Sequence, residues 1–168
     1  MAQNFRIIDA FLDMRRRPFK VASTLEAYID PLSANPVYDG EWLSIAGLKA
    51  TRQADAYGTV ALPCFPVLDW VGQYDIQATK KLTLQFPLVP FEAETRVMTI
   101  ANLVEGSPLV VADTAIGSEG TKKGLKLLPA NGGGTATIGF IVGLVTFVGT
   151  GLIKFVSIPH QRVVIPAS

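Results

Sequence analysis

Alternate positions in residues 135–158 differ in size and polarity. Ile138, Phe140, Val142 and Leu144 are bulky, whereas Thr135, Thr137, Gly139 and Gly143, on the other parity, are small or polar. A period of two gives each set its own face of a strand, while a helix would mix them. Fifteen of the twenty-four residues are β-branched or aromatic, the types that suit a pleated surface. Gly149-Thr150-Gly151 interrupts the run as a hairpin turn would. The competing reading is a membrane helix. No charge lies between Lys126 and Lys154, and Gly139 and Gly143 fit a G-x-x-x-G pairing pattern. A span needs about 20 apolar residues. The period-two faces and the turn favour the hairpin.

Similar signals recur upstream. Residues 19–24, 41–45, 59–62, 82–86, 91–100, 109–112 and 123–127 read as strands, with a last short one at 163–165. Pro, Gly, Asn and Asp clusters separate them. Short strands at regular spacing predict an all-β fold, a single-domain β-barrel or β-sandwich. No internal repeat and no second composition regime marks another domain.

Residues 1–18 differ from this body at 19–168. Phe5, Ile8, Phe11 and Leu12 fall at helical spacing, Asn4 suits an N-cap, and Asp9 and Asp13 lie on the other side. Arg15, Arg16 and Arg17 follow, and Pro18 stops a helix there. The expectation is an N-terminal arm, a short amphipathic helix that packs on its own domain or on a partner. Those seven residues, Phe5 to Arg17, are the candidate partner-binding set. If the arm is separable, deleting residues 1–17 weakens attachment and leaves the β-body folded.

Composition narrows the function. Hydrophobic residues make up 49% and charged residues only 17%, with 15 Gly and 11 Pro. So few charges suggest a surface partly covered by other protein. The net charge of +1 gives no global field for nucleic acid. Three adjacent arginines without a further basic patch suit an acidic protein surface at least as well as phosphates. Cys64, the single cysteine, excludes an internal disulfide and reads as a small buried hydrophobe. The N-terminus has no positive region followed by an apolar one, so the expected site of synthesis is a cytoplasm.

The search for chemistry returns no catalytic, cofactor or metal set. The run from Gly117 to Lys122 has the wrong spacing for a P-loop, and Gly132-Gly133-Gly134 precedes a strand where a dinucleotide fingerprint would open a helix. His160, the single histidine, lies between Pro159 and Gln161 in an expected exposed turn, with no nucleophile elbow near any serine. Glu92 and Glu94 share a strand face with Arg96, which reads as a solvated face, and Asp69 with Asp75 forms a second near pair. Trp42, Trp70, Tyr38 and Phe65 lie among turns and read chiefly as core.

The order of elements resembles small structural proteins of tailed-bacteriophage virions, in particular capsid decoration or cement proteins. The pieces that carry the likeness are Asp39-Gly40-Glu41-Trp42-Leu43, Gly106-Ser107-Pro108-Leu109-Val110-Val111, Ile138-Gly139-Phe140-Ile141-Val142 and Gly149-Thr150-Gly151-Leu152-Ile153-Lys154-Phe155, within residues 39–158. The resemblance implies a compact β-domain on the outside of a phage head. It would bridge major capsid protein subunits as a trimer or dimer, without membrane or specific nucleic-acid binding, and be made in the host cytoplasm. An N-terminal arm reaching onto a neighbour is part of that expectation. Two alternatives remain: a tail tube, baseplate or adaptor subunit that uses the long hairpin to close a ring, and a carbohydrate-binding β-domain.

Overall fold

A computed structural model describes residues 4–10, 15–53, 59–60, 62–69, 74–86, 90–116, 120–131 and 133–167. The uncharged stretch is a hairpin of β10 (Thr137–Gly149) and β11 (Leu152–Ile165). Its register runs from Thr137 opposite Ile165 to Gly149 opposite Leu152. Among the described residues, no helix is long and apolar enough to cross a membrane.

The hairpin is the middle of a six-stranded sheet. β8 (Pro108–Ala115) pairs with β10, and β9 (Thr121–Leu127) pairs with β8. On the other side β7 (Phe91–Thr95) pairs with β11, and β1 (Phe5–Ala10) pairs with β7. Beyond Thr95 the chain bends; the Thr95 hydroxyl accepts the Val97 N–H at 3.0 Å. Met98 then bridges Leu125 in parallel. Leu125 N–H donates to the Val97 carbonyl at 3.0 Å, and Thr99 N–H to the Leu125 carbonyl at 2.7 Å. The chain leaving β7 thus returns onto β9 and closes the sheet into a barrel, which removes an open edge.

Gly124 permits that closure. A Cβ there would lie 2.6 Å from the Val97 carbonyl oxygen and 2.9 Å from the Thr114 hydroxyl. Gly124→Ala is expected to force the crossing apart and to lower stability by about 1–3 kcal/mol, the usual range for overpacking. Urea unfolding with an unchanged slope is the check, and a midpoint equal to the parent's contradicts the closure.

A second, smaller barrel is inserted between β1 and β7. It comprises β2 (Arg15–Lys20), β3 (Trp42–Ala46), β4 (Lys49–Thr51), β5 (Cys64–Pro66) and β6 (Lys81–Phe86). β2 pairs with β6, and β3 pairs with both β4 and β5. Bridges from Val67 to Leu84 and from Val21 to Ala50 complete the ring. Leu43, Val67, Leu82 and Leu84 fill it, with Leu25 from α1 (Ser23–Glu26) and Ile76 from α2 (Tyr74–Thr79).

The two barrels share a wall. In β3, Leu43 belongs to the small core while its neighbour Trp42 belongs to the large one, and both are fully buried. The period of two sends successive side chains to opposite cores. Phe155 is the hub of the large core, with its ring centroid 6.4 Å from Phe5, 6.3 Å from Trp42 and 6.5 Å from Phe91.

The all-β expectation holds, and several details within it are corrected. The N-terminal segment is not helical: residues 5–10 and 15–20 are strands. A short isolated helix is marginal in water, whereas here β7 presents an edge and the Asp39 carboxylate accepts the N–H groups of Asn4 at 2.8 Å and Phe5 at 3.2 Å. β1 is therefore part of the sheet. The expected last strand at 163–165 is continuous with β11. Pro159 is tolerated because the ladder slips between Ser157 and Gln161. Both short helices went unpredicted.

Residue size separates the two faces of β10 without saying which is inner. Thr137, Gly139 and Gly143 point inward, while Ile138 and Leu144 are 36% and 40% exposed. Gly143 is small because Phe155 is large: a Cβ would meet the Phe155 ring at 2.9 Å. At the slip between Ile141 and Gly143, Val142 is buried together with Gly143, and beyond the slip after Val145 Phe147 is exposed.

Candidate functional site: two surfaces and a buried joint

Two surface features stand out, and each is built by strand register. The first is the outer face of the hairpin. Ile138 lies opposite Val164, Leu144 opposite Val156, and Phe147 opposite Lys154. Val164 is 59% and Phe147 45% exposed. The row continues onto β7 and β1 as a charged margin, where Lys154 faces Glu94 and Arg6 pairs with Glu94 at 3.0 Å. Glu92 accepts from the Thr146 hydroxyl at 3.4 Å. Glu92 and Glu94 are thus a solvated, partnered face, as expected, with Arg6 as the counter-charge in place of Arg96.

The second feature is a basic groove of about 420 Å³ on the small barrel. Arg17, Lys20, Lys49 and Lys81 line it together with Phe19 and Leu48. Lys20 and Lys81 sit directly opposite in the β2–β6 ladder, a like-charge pairing that destabilises a sheet. No ion pair of the described residues uses any of these four cations. Leu48 is 84% exposed and sits at φ +64°, a conformation rare for a bulky residue.

Between the barrels lies a buried polar joint. Glu41 is fully buried, and Arg52 grips it with Nε donating to Oε1 at 2.6 Å and Nη2 to Oε2 at 2.9 Å. The N–H groups of Tyr38 and Lys123 also donate to Glu41, each at 3.3 Å. Arg52 donates further to the carbonyls of Asn35 at 3.1 Å and Pro36 at 3.2 Å. Lys122, fully buried on β9, donates to Asn35 Oδ1 and the Pro36 carbonyl. Its ammonium lies 4.4 Å from the Tyr38 ring centroid. These bonds tie residues 35–41 to β9, and their donors and acceptors are turned toward one another. The joint is a structural clasp.

His160 is not in a turn. It lies on β11, half-buried, 5.0 Å from the Phe65 ring and 6.5 Å from Phe140. Phe65 stacks in turn on Phe86 at 4.4 Å, and Phe86 on Phe19 at 5.8 Å. This ladder joins the small barrel to the hairpin. His160 Nε2 is buried without a hydrogen-bond partner. Burial lowers its pKa from 6.5 to about 4 because the apolar wall disfavours the imidazolium. The unfolded chain therefore takes up the proton first. The stability held above pH 6.5 is expected to be lost as pH falls toward 4, by up to about 3 kcal/mol. His160→Phe should flatten that part of the stability–pH curve, and an unchanged slope contradicts the assignment.

The remaining sequence candidates sort as follows. Phe5 is 3% exposed and is core, so it is withdrawn as a partner-binding residue. Ile8 is 39% exposed, lifted outward by a slip between Ile7 and Asp9. Arg16 and Arg17 are exposed on β2. Phe11, Leu12 and the Arg15 side chain lie outside the described residues, as does Trp70. Cys64 and Trp42 are buried. Asp69 accepts the Thr83 N–H. Asp75 is exposed on α2. No group of three or more His, Cys, Asp or Glu among the described residues is placed to hold a metal. Sequence reading missed the groove because its cations come from three separated strands, β2, β4 and β6; only the β2–β6 register and the β3–β4 turn assemble them.

Comparison with protein-family models, with curated proteins and with solved structures gave no match.

Proposed function

We propose that this chain is a structural virion protein of a tailed phage, a capsid decoration protein that binds the outside of the head and bridges major capsid protein subunits. The observation that supports it most is the outer face of the hairpin. Ile138 with Val164 near one end of the paired ribbon, and Leu144 with Phe147 further along it, are exposed apolar residues, and exposed apolar surface of this kind marks protein contact sites. The middle of the ribbon is paired on both sides, residues 141, 143 and 144 to β8 and residues 153–157 to β7, which limits the entropy lost on docking there. Repetition of a modest contact over a symmetric shell makes the total attachment strong.

The tail reading draws less support. A tube subunit lends its hairpin to a neighbour, whereas residues 153–157 here pair with β7 and residues 141, 143 and 144 pair with β8. The carbohydrate reading asks for exposed aromatics lining one groove. Trp42 is buried, and Phe19, Phe86, Phe65 and Phe140 are each partly buried against the ladder.

The test is co-sedimentation of the purified full chain with heads and, separately, with tails of the phage that encodes it. Saturable binding to heads alone is expected. Binding to tails alone assigns the chain to the tail, and binding to neither removes the virion reading.

A further inference from the structure

The basic groove has a complement on the same chain. Leu32 is 91% exposed, the most exposed large apolar side chain described. It sits at the tip of the turn after α1, where Asp30 Oδ1 accepts the Leu32 N–H at 2.9 Å and the Asp30 carbonyl accepts the Ser33 N–H at 3.0 Å. Pro31 stiffens the same turn. Asp30 lies two residues before the tip and Glu26 ends α1 four residues earlier, both exposed, and neither forms an ion pair among the described residues. The turn is therefore a rigid knob with one apolar tip and two carboxylates, and none of its residues lines the groove.

The groove offers the opposite chemistry. Four cations surround Phe19 and Leu48. Two of the cations are held face to face at a cost in stability. Leu48 is held in solvent at the tip of the Gly47-Leu48 hairpin turn between β3 and β4, where a two-residue turn sets its positive φ.

We infer that the groove receives the Leu32 turn of a second copy of this chain, in a head-to-tail contact with Leu32 against Phe19 and Leu48 and with Glu26 and Asp30 among the lysines. Because the two patches differ, the contact is heterologous and propagates to a ring or an open chain. An acidic partner of another kind would need a charge pattern that this chain already supplies. A nucleic acid would leave the exposed Leu32 and its carboxylates without a role. The inference deepens the proposed function, on which it rests only for the expectation that copies associate.

Sedimentation velocity of the full chain tests it. The parent should self-associate, more weakly as salt rises. A groove variant, Lys49→Glu with Lys81→Glu, and a turn variant, Glu26→Lys, should each weaken association tenfold or more. Their equimolar mixture should associate again, since each supplies the patch that the other has lost. Leu32→Ser should weaken association with every charge in place. All of these positions are exposed, and far-UV circular dichroism confirms that each variant is folded. A parent that stays monomeric, variants that associate like the parent, or a mixture that stays monomeric overturns the contact. So does a single-stranded oligonucleotide that binds the parent, fails to bind the groove variant and leaves the parent monomeric. A monomeric chain that still binds heads overturns this contact alone, and an associating chain that never binds heads overturns the proposed function alone.

Discussion

Arg52→Ala is expected to lower the unfolding free energy by about 3–5 kcal/mol, the range for removing one partner of a buried ion pair. The Arg52 side chain is 16% exposed and the Glu41 side chain 0%. Truncation leaves a carboxylate in the wall between the barrels with only two backbone N–H donors, from Tyr38 and Lys123. It also frees the carbonyl of Asn35, while the Pro36 carbonyl keeps its Lys122 donor. Most of the loss is the desolvation of an uncompensated charge and not the worth of the pair itself. The double change Arg52→Met with Glu41→Gln should therefore recover part of the stability. Chemical denaturation of the three proteins is the measurement. An Arg52→Ala loss below about 1 kcal/mol, the ceiling for an exposed pair, would place the clasp in solvent.

Phe5→Ala is expected to cost a similar amount, about 3–5 kcal/mol as for other large aromatic truncations in cores. Removing residues 1–10 should cost more. Phe5 fills space between Gly40 and Phe155: its own Cβ occupies the place that a Cβ on Gly40 would take, 2.6 Å away. The deletion also strips β1 from β7 and leaves Asp39 without the Asn4 and Phe5 donors. A freely attached arm predicts the opposite result, an unchanged midpoint after truncation. The N-terminal segment is thus a stability element first. Any loss of partner binding on deletion must be separated from loss of fold.

The strands with strong local pattern were legible. The hairpin announced itself through its period of two and its Gly-Thr-Gly turn, because those signals are local. What was not legible is set by partners far away in sequence. Residue size separates the two faces of β10 without saying which is inner, and the inward space at Gly143 is taken by the Phe155 ring. The helical spacing read from Phe5 and Ile8 lost to pairing of residues 5–10 with β7, some eighty to ninety residues on. Trp42 and Leu43 looked like ordinary alternation, but each is buried in a different core. The second barrel was hidden for a related reason: two of its joins are single bridges, at Val67–Leu84 and Val21–Ala50. Of the four groove cations, only Arg17 belongs to the basic run that the sequence singles out. Lys20, Lys49 and Lys81 do not, since nothing local ties them together. His160 was read as a turn residue from its proline neighbour, whereas the slip in the β10–β11 ladder lets Pro159 sit within a strand.

The most direct test of the central claim, that this fold serves assembly on a phage head, is an electron cryomicroscopy map of the virion at a resolution that shows strands. A two-barrel density is expected on the head exterior at repeated symmetric positions, with Ile138, Leu144 and Phe147 of the hairpin against the major capsid protein. Density of this shape in the tail, or a complete virion map without it, would contradict the account.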